Sequence, residues 1–156
     1  MISHKDLVDM LLTDDGILLK KRYTGGSSYE VFESKHSRET ESLYELFRER
    51  KDEVNAAIAE NTRIKREKID AIYEHIFEDE HWIARFGGEL PFDQSNFIAK
   101  AWQRLYDGYY TREDLLLIKH EWLEIHYLQT LTSDYEEAHT LSNIKYNWEE
   151  RIFNLF

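Results

Sequence analysis

The residues best suited to chemistry lie close together in the C-terminal part of the chain. His120, Glu121 and Glu124 fall within one short stretch, and His139 follows in the next predicted helix. Residues four apart share one face of a helix, so His120 and Glu124 are predicted neighbours. If the next helix folds back as a hairpin, His139 comes to the same place. Imidazole and carboxylate groups in this mixture can bind a divalent metal or transfer protons.

The first interpretation is a metal site with His120, Glu124 and His139 as ligands. Zinc and manganese are the expected ions. Glu121 would then act as the general base that deprotonates a metal-bound water. The pattern is related to the His-Glu-x-x-His helix, in which two histidines four apart flank the base. Because Glu124 stands in the second ligand position, the pattern predicts no peptidase chemistry.

Two other interpretations use the same part of the chain. Without a metal, His120 or His139 could act as acid and base in ribonuclease-type transfer, with one of the two glutamates setting the imidazole tautomer. His75 and His81 could complete either arrangement, although their spacing does not tie them to it. A purely structural role also fits, in which the histidines are hydrogen-bonded packing residues and the glutamates form surface ion pairs.

Capping signals place the chemical residues on two successive helices. Residues 111–114 mark the start of the first helix, and residues 133–136 form a capping box for the second. An earlier helix is predicted to begin after Asp93 or Ser95 and to end at Gly108, where glycine allows the left-handed conformation.

A small hairpin is predicted near the N-terminus. A short helix from Ser3 precedes it, and strands near residues 17–19 and 29–32 flank a glycine-rich turn. A lone hairpin is marginally stable in water, so these strands must pack against helices.

A long helical run is predicted from Ser37 to about Trp82, and the glycines and proline of residues 87–91 mark a boundary behind it. Apolar residues step by threes and fours along the run, as in a coiled-coil seam. Unbroken, such a helix would be too long for a compact domain of this size. We expect either a break near Asn61 or a helix that pairs with a protein partner or a second copy through residues 43–77.

Composition restricts the possible functions. The net charge of −11 disfavours unspecific binding to phosphate backbones, so nucleic acid is expected only as a substrate. The chain has no cysteine, which excludes disulfides and thiolate metal sites. No apolar run of membrane-spanning length and no signal core occur, so we expect a cytoplasmic protein with no membrane partner, or a toxin exported by another route. Four tryptophans fall in apolar periodic sets and are predicted to lie in the core: Trp82, Trp102, Trp122 and Trp148.

Three motifs of the C-terminal half form one pattern. They are Ala-x-x-Trp-x-Arg-Leu-x-x-Gly at residues 99–108, His-Glu-x-x-Glu at residues 120–124, and the pair Ala138-His139. Together they resemble a helical module of the C-terminal toxin domains of bacterial polymorphic toxins and of related phage-borne proteins. The resemblance covers about residues 72–148. It implies a helical domain with the His/Glu residues as its functional centre.

The sequence therefore predicts a mainly α protein, a helical bundle with a long helix and a small N-terminal β-hairpin. Its expected parts are residues 1–36 with the hairpin, residues 37–82 with the long helix, and residues 83–156 with the C-terminal module. The expected function is that of a toxin-like, metal-dependent hydrolase or nuclease of bacterial or phage conflict. The alternative is a non-enzymatic acidic protein, such as an immunity protein, an inhibitor or a phage accessory factor, that binds a partner through the long helix.

Overall fold

Helices form most of the chain, as the three- and four-residue spacing of its apolar side chains predicts. The computed structural model describes residues 18–21, 29–32, 34–91 and 94–153. Within these ranges the protein is mainly α, which confirms the predicted fold class. The elements are β1 (Leu18–Lys21), β2 (Tyr29–Phe32), α1 (Ser34–Glu49), α2 (Lys51–Thr62), α3 (Arg66–Tyr73), a π-helical turn (Glu74–Glu78), β3 (Glu80–Ile83), a 3₁₀ turn (Ala84–Phe86), β4 (Gly88–Pro91), α4 (Asn96–Asp107), α5 (Arg112–Thr130), α6 (Tyr135–Lys145) and α7 (Trp148–Phe153).

The predicted N-terminal hairpin is present. β1 and β2 pair in antiparallel fashion, with Leu18 opposite Phe32 and Lys21 opposite Tyr29. The predicted helix from Ser3 and the glycine-rich turn lie outside the described residues.

The long helical run is divided into shorter helices. It begins at Ser34, three positions before the predicted Ser37, and it leaves the helical conformation at Arg50. The expected break near Asn61 is confirmed: α2 ends at Thr62, and Arg63 takes the left-handed conformation with φ 61°. The Asn61 side chain donates to the backbone carbonyls of Leu105 and Tyr106, at 2.9 and 3.0 Å, and so holds the end of α2 against the end of α4.

A second hairpin replaces the predicted end of the long helix at Trp82. The helical backbone stops at Glu78, and β3 pairs with β4 in antiparallel fashion. Gly87 makes the turn in the left-handed conformation, with φ 62°. Exposure alternates along β3, so His81 and Ile83 point into the protein. The predicted helical run to about Trp82 therefore ends too late, because four residues are too few for a strand period to stand out.

The apolar side chains of the predicted seam lie in the protein's own core. Phe47 and Val54 are fully buried, as is Ile72. The ring of Phe77 packs at 5.5 Å from Trp102, centroid to centroid. These apolar side chains are therefore not a free surface that calls for a partner. A partner at residues 43–77 stays a prediction.

The tryptophan prediction was half right. Trp102 and Trp148 are buried, whereas Trp82 and Trp122 are 41% and 38% exposed. Trp82 lies on the outer face of β3, and the ammonium of Lys68 lies 4.9 Å from the ring centroid of Trp122. Among the described residues, no helix combines the length and apolar character needed to cross a membrane.

Asp114 fixes the start of α5. Its carboxylate accepts from the backbone N–H of Thr111, while the Thr111 hydroxyl accepts from the N–H of Asp114, so the predicted capped start is confirmed as a capping box. The same buried carboxylate receives two hydrogen bonds from the Arg104 guanidinium, at 2.8 and 2.7 Å. This pair joins the last turn of α4 to the first turn of α5. Ser95 and Gly108 cap α4 as predicted, and Asp93 lies outside the described residues.

The predicted capping box of α6 was wrong. Asp134 is the N-cap residue, but its side chain makes no hydrogen bond to the helix. Instead, its carboxylate accepts from the backbone N–H of Ala84 at 3.0 Å. Asp134 therefore ties the end of β3 to the start of α6.

Replacing Asp114 by alanine is expected to lower the free energy of unfolding by about 2–4 kcal/mol, because the helix cap and the partner of Arg104 are both lost. Urea denaturation followed by circular dichroism measures this change. Glu113→Ala, in the same helical turn, is the matched control and should change stability by less than about 0.5 kcal/mol. Equal effects of the two substitutions would contradict the assigned role of Asp114.

Candidate metal centre

The structure brings the predicted ligands together. His120, Glu121 and Glu124 lie on one side of α5 and are fully buried. α6 packs against α5 as an antiparallel neighbour and carries His139 to the same place. The alternative of glutamates in surface ion pairs is therefore wrong for both Glu121 and Glu124.

Three atoms converge in what we call the first ligand set, which consists of His120, Glu124 and His139. The Nε2 atom of His120 lies 2.7 Å from Oε2 of Glu124, and Nδ1 of His139 lies 2.5 Å from the same oxygen. The two imidazole nitrogens are 3.2 Å apart. Each atom of this set can be a metal ligand.

The far side of each imidazole is held by an acceptor. Nδ1 of His120 lies 2.8 Å from the carbonyl oxygen of Tyr146, and Nε2 of His139 lies 2.6 Å from a carboxylate oxygen of Glu149. An acceptor at one nitrogen of a neutral imidazole keeps the proton there. The other nitrogen, which faces Glu124, then carries a lone pair. Metal-bound histidines are usually oriented by such outer acceptors.

The facing atoms of His120, Glu124 and His139 need positive charge between them. Lone pairs on two nitrogens and a carboxylate oxygen repel one another at these distances unless protons or a metal ion lie between them. Burial alone would lower the pKa of His120 and His139, but nearby carboxylates outweigh it and raise the pKa of both. Burial would raise the pKa of Glu124, yet the two imidazolium groups lower it well below its usual value. Without a metal, protons therefore supply the positive charge.

Tyr135 completes the surroundings of the first ligand set. Its hydroxyl donates to Oε2 of Glu124 at 3.1 Å and lies 3.4 Å from Nδ1 of His139. Burial, together with Glu124, raises the pKa of this phenol well above its usual value, so it remains protonated. A proton donor in this position can hold a metal-bound water or an anionic substrate atom.

The other oxygen of Glu124 faces a different group. Nε2 of His75 lies 2.9 Å from Oε1 of Glu124 and 3.4 Å from Oε2 of Glu121. We call His75, Glu121 and Glu124 the second ligand set. Burial would lower the pKa of His75, but the neighbouring carboxylates of Glu121 and Glu124 raise it to about 9.

The β3 strand supports His75 from behind. Nε2 of His81 donates to the backbone carbonyl of His75 at 2.8 Å, and the two rings meet edge to face at 4.5 Å between centroids. Burial, with the charge of His75, lowers the pKa of His81 to about 4. His81 is therefore a neutral positioning group.

Glu121 lies in an unusual environment. Its carboxylate is fully buried, and neither oxygen has a hydrogen-bond partner. Burial, with the neighbouring Glu124, raises the pKa of this carboxyl group. The nearest approach to His75 is 3.4 Å, between Oε2 of Glu121 and Nε2 of His75. Its predicted role as a general base stays a prediction.

Solvent reaches the cluster at its edges. The side chains of His139 and Glu149 are 13% and 12% exposed, whereas those of His120 and Glu124 are closed to solvent. On another side, a depression of about 300 Å³ is lined in part by His75 and acidic side chains.

Sequence reasoning missed two residues of the cluster and left a third open. Tyr135 and Glu149 were not predicted as site residues, and His75 was named without a reason to place it. Tyr135 precedes His139 by one helical turn, so the i, i+4 spacing could have found it. Glu149 lies on α7 and His75 in the π-helical turn, and only the tertiary packing brings them in.

Comparison of the chain with protein-family models, with curated proteins and with solved structures found no match.

Proposed function

We propose that the protein is a toxin-like, metal-dependent hydrolase in which the first ligand set holds a divalent ion, zinc or manganese. One observation carries this proposal: His120, Glu124 and His139 direct three ligand atoms at one buried point, 2.5–3.2 Å from one another. A metal ion at this point would lower the pKa of a bound water and so generate a hydroxide nucleophile near neutral pH.

The spacing of the three atoms supports an ion of this size. Ligands about 2.0–2.2 Å from a tetrahedral ion lie about 3.3–3.6 Å apart, and around an octahedral ion about 3.0 Å apart. The observed separations of 2.5, 2.7 and 3.2 Å would need to grow by at most about 1.1 Å to match a tetrahedral ion.

The groups around the ion suit a catalytic role. The Tyr146 carbonyl and the Glu149 carboxylate fix the two imidazoles, so the ligands are oriented before the ion binds. Tyr135 can donate to an oxygen that develops negative charge. The partly exposed edge at His139 and Glu149 is the natural route for water and substrate.

A basic groove beside the centre supports an anionic substrate, such as a phosphodiester. A groove of about 220 Å³ on α5 and α7 is lined by Arg112, Lys119 and Arg151, with Glu113 as its one acidic lining residue. Lys119 directly precedes His120 in the chain, and Arg151 lies on α7 close to Glu149. In a chain of net charge −11, such a local reversal of sign favours capture of a phosphate there.

Protein purified without a histidine tag or chelator is expected to contain bound divalent metal, and the His120→Ala, His139→Ala double variant is expected to lose the ion of the first ligand set. Elemental analysis by mass spectrometry measures the metal content. His126→Ala is the matched control, because His126 lies exposed on the same helix. Glu124→Gln, which preserves volume but removes the charge, should also lose the ion. It tests the same site with less risk of unfolding the protein than the double variant. Equal metal content in all variants, or none in the native protein, would sink the proposal.

The metal-loaded protein is expected to hydrolyse RNA or DNA, and the Lys119→Ala, Arg151→Ala double variant to do so about tenfold more slowly, because phosphate contacts position a nucleic-acid substrate. A fluorogenic oligonucleotide assay with zinc or manganese measures the rate. Metal content should stay unchanged in this variant, which separates substrate capture from metal binding. Full activity without the two charges would refute the role of the groove.

The alternative function is a non-enzymatic acidic protein, such as an immunity protein, an inhibitor or a phage accessory factor. One observation favours it: His120, Glu121 and Glu124 are fully buried, so the cluster offers a substrate little access. A partner would then need a surface other than the apolar seam of residues 43–77, which lies in the core. In that case metal removal would lower the melting temperature, while no hydrolysis of any tested polymer would depend on the metal.

A further inference from the structure

The carboxylate of Glu124 is shared between two groups of side chains. Its Oε2 atom faces His120 and His139, whereas its Oε1 atom faces His75 at 2.9 Å. A carboxylate with ligand atoms gathered at each oxygen has the form of a bridge between two metal ions. The first ligand set accounts for one side of this bridge only.

Glu121 supplies an independent observation on the other side. Both of its oxygens are buried without a hydrogen-bond partner, and one of them, Oε2, lies 3.4 Å from Nε2 of His75. Buried polar groups are almost always paired, because an unpaired one loses its hydration and gains nothing in return. A carboxyl group left in this state beside an imidazole and a second carboxylate points to a cation as its partner.

We infer that the protein binds two divalent ions bridged by Glu124, the second held by His75, Glu121 and Oε1 of Glu124. The ligand atoms of this second set all lie within 4.8 Å of one another. The inference rests on the proposed function for the first ion. Paired ions about 3.5–4 Å apart are a common arrangement in enzymes that hydrolyse phosphate esters, because together they stabilise the attacking and the leaving oxygen.

The surroundings of the second set suit a metal. His75 is held from behind by His81, whose Nε2 donates to the backbone carbonyl of His75 at 2.8 Å, so the ring of His75 is fixed against the second set. The depression against His75 is lined in part by the carboxylates of Glu74, Asp79 and Glu80. Their negative charge attracts a cation to this side of His75.

Native mass spectrometry of the whole chain, titrated with manganese, counts the ions directly. We expect two ions in the native protein and one in Glu121→Gln, which keeps the shape of the side chain but removes its charge. His126→Ala, on the exposed side of the same helix, should keep two. One ion in the native protein, unaffected by Glu121→Gln, would overturn the second site and leave the proposed function standing. No ion at all would overturn both, and two ions in Glu121→Gln would overturn the assignment of Glu121.

Electron paramagnetic resonance provides a second readout that does not depend on a stable variant. Two manganese ions bridged by one carboxylate are spin-coupled, whereas an isolated ion gives a six-line signal. The native protein is expected to show the coupled signal at full loading, and Glu121→Gln the six-line signal. An uncoupled signal from fully loaded native protein would refute a bridged pair even if Glu121→Gln failed to fold.

Discussion

Burial of the Glu124 carboxylate among three imidazoles is the constraint on which the rest of the structure depends. A buried carboxylate is costly unless positive charge surrounds it, and here His75, His120 and His139 provide that charge from three different elements. Two of these elements are held in turn, α5 by the cap at Asp114 and α6 by the contact of Asp134 with the backbone N–H of Ala84. The helix caps and the central cluster therefore stabilise one another. Loss of either would leave the buried carboxylate of Glu124 without its full set of compensating partners.

The two ends of the cluster differ in what they contact. On the α6 and α7 side, Tyr135 and Glu149 surround the first ligand set and reach partly exposed edges near a basic groove. On the side of the π-helical turn, the second ligand set lies behind an acidic opening. The two sides of the cluster therefore differ in the sign of the charged side chains that line the nearby depressions.

Sequence reasoning succeeded where the relevant distance along the chain was short. His120 and Glu124 share a helix face by spacing alone, and one helix hairpin was enough to place His139 near them. The mainly α class followed from apolar periodicity, and the break near Asn61 was one of two alternatives that the length of the helical run left open. Reasoning failed where a contact joins distant segments. His75 meets Glu124 across 49 residues of sequence, and the Asp134 carboxylate accepts from the N–H of Ala84, 50 residues away, and not from its own helix. The β3 strand was missed because its four residues are too short to reveal a period.

The π-helical turn at Glu74–Glu78 carries a consequence for how this protein can vary. Such a turn is an α-helix with one additional residue, and each residue of an α-helix advances the side chains by about 100°. A chain one residue shorter at this point would continue as regular helix, and His75 would turn away from Glu124 by about that angle. Loss of one residue here would leave the helix itself intact, but it would remove the contact between His75 and Glu124. Relatives that keep the extra residue would keep the centre, and those without it would retain the bundle alone.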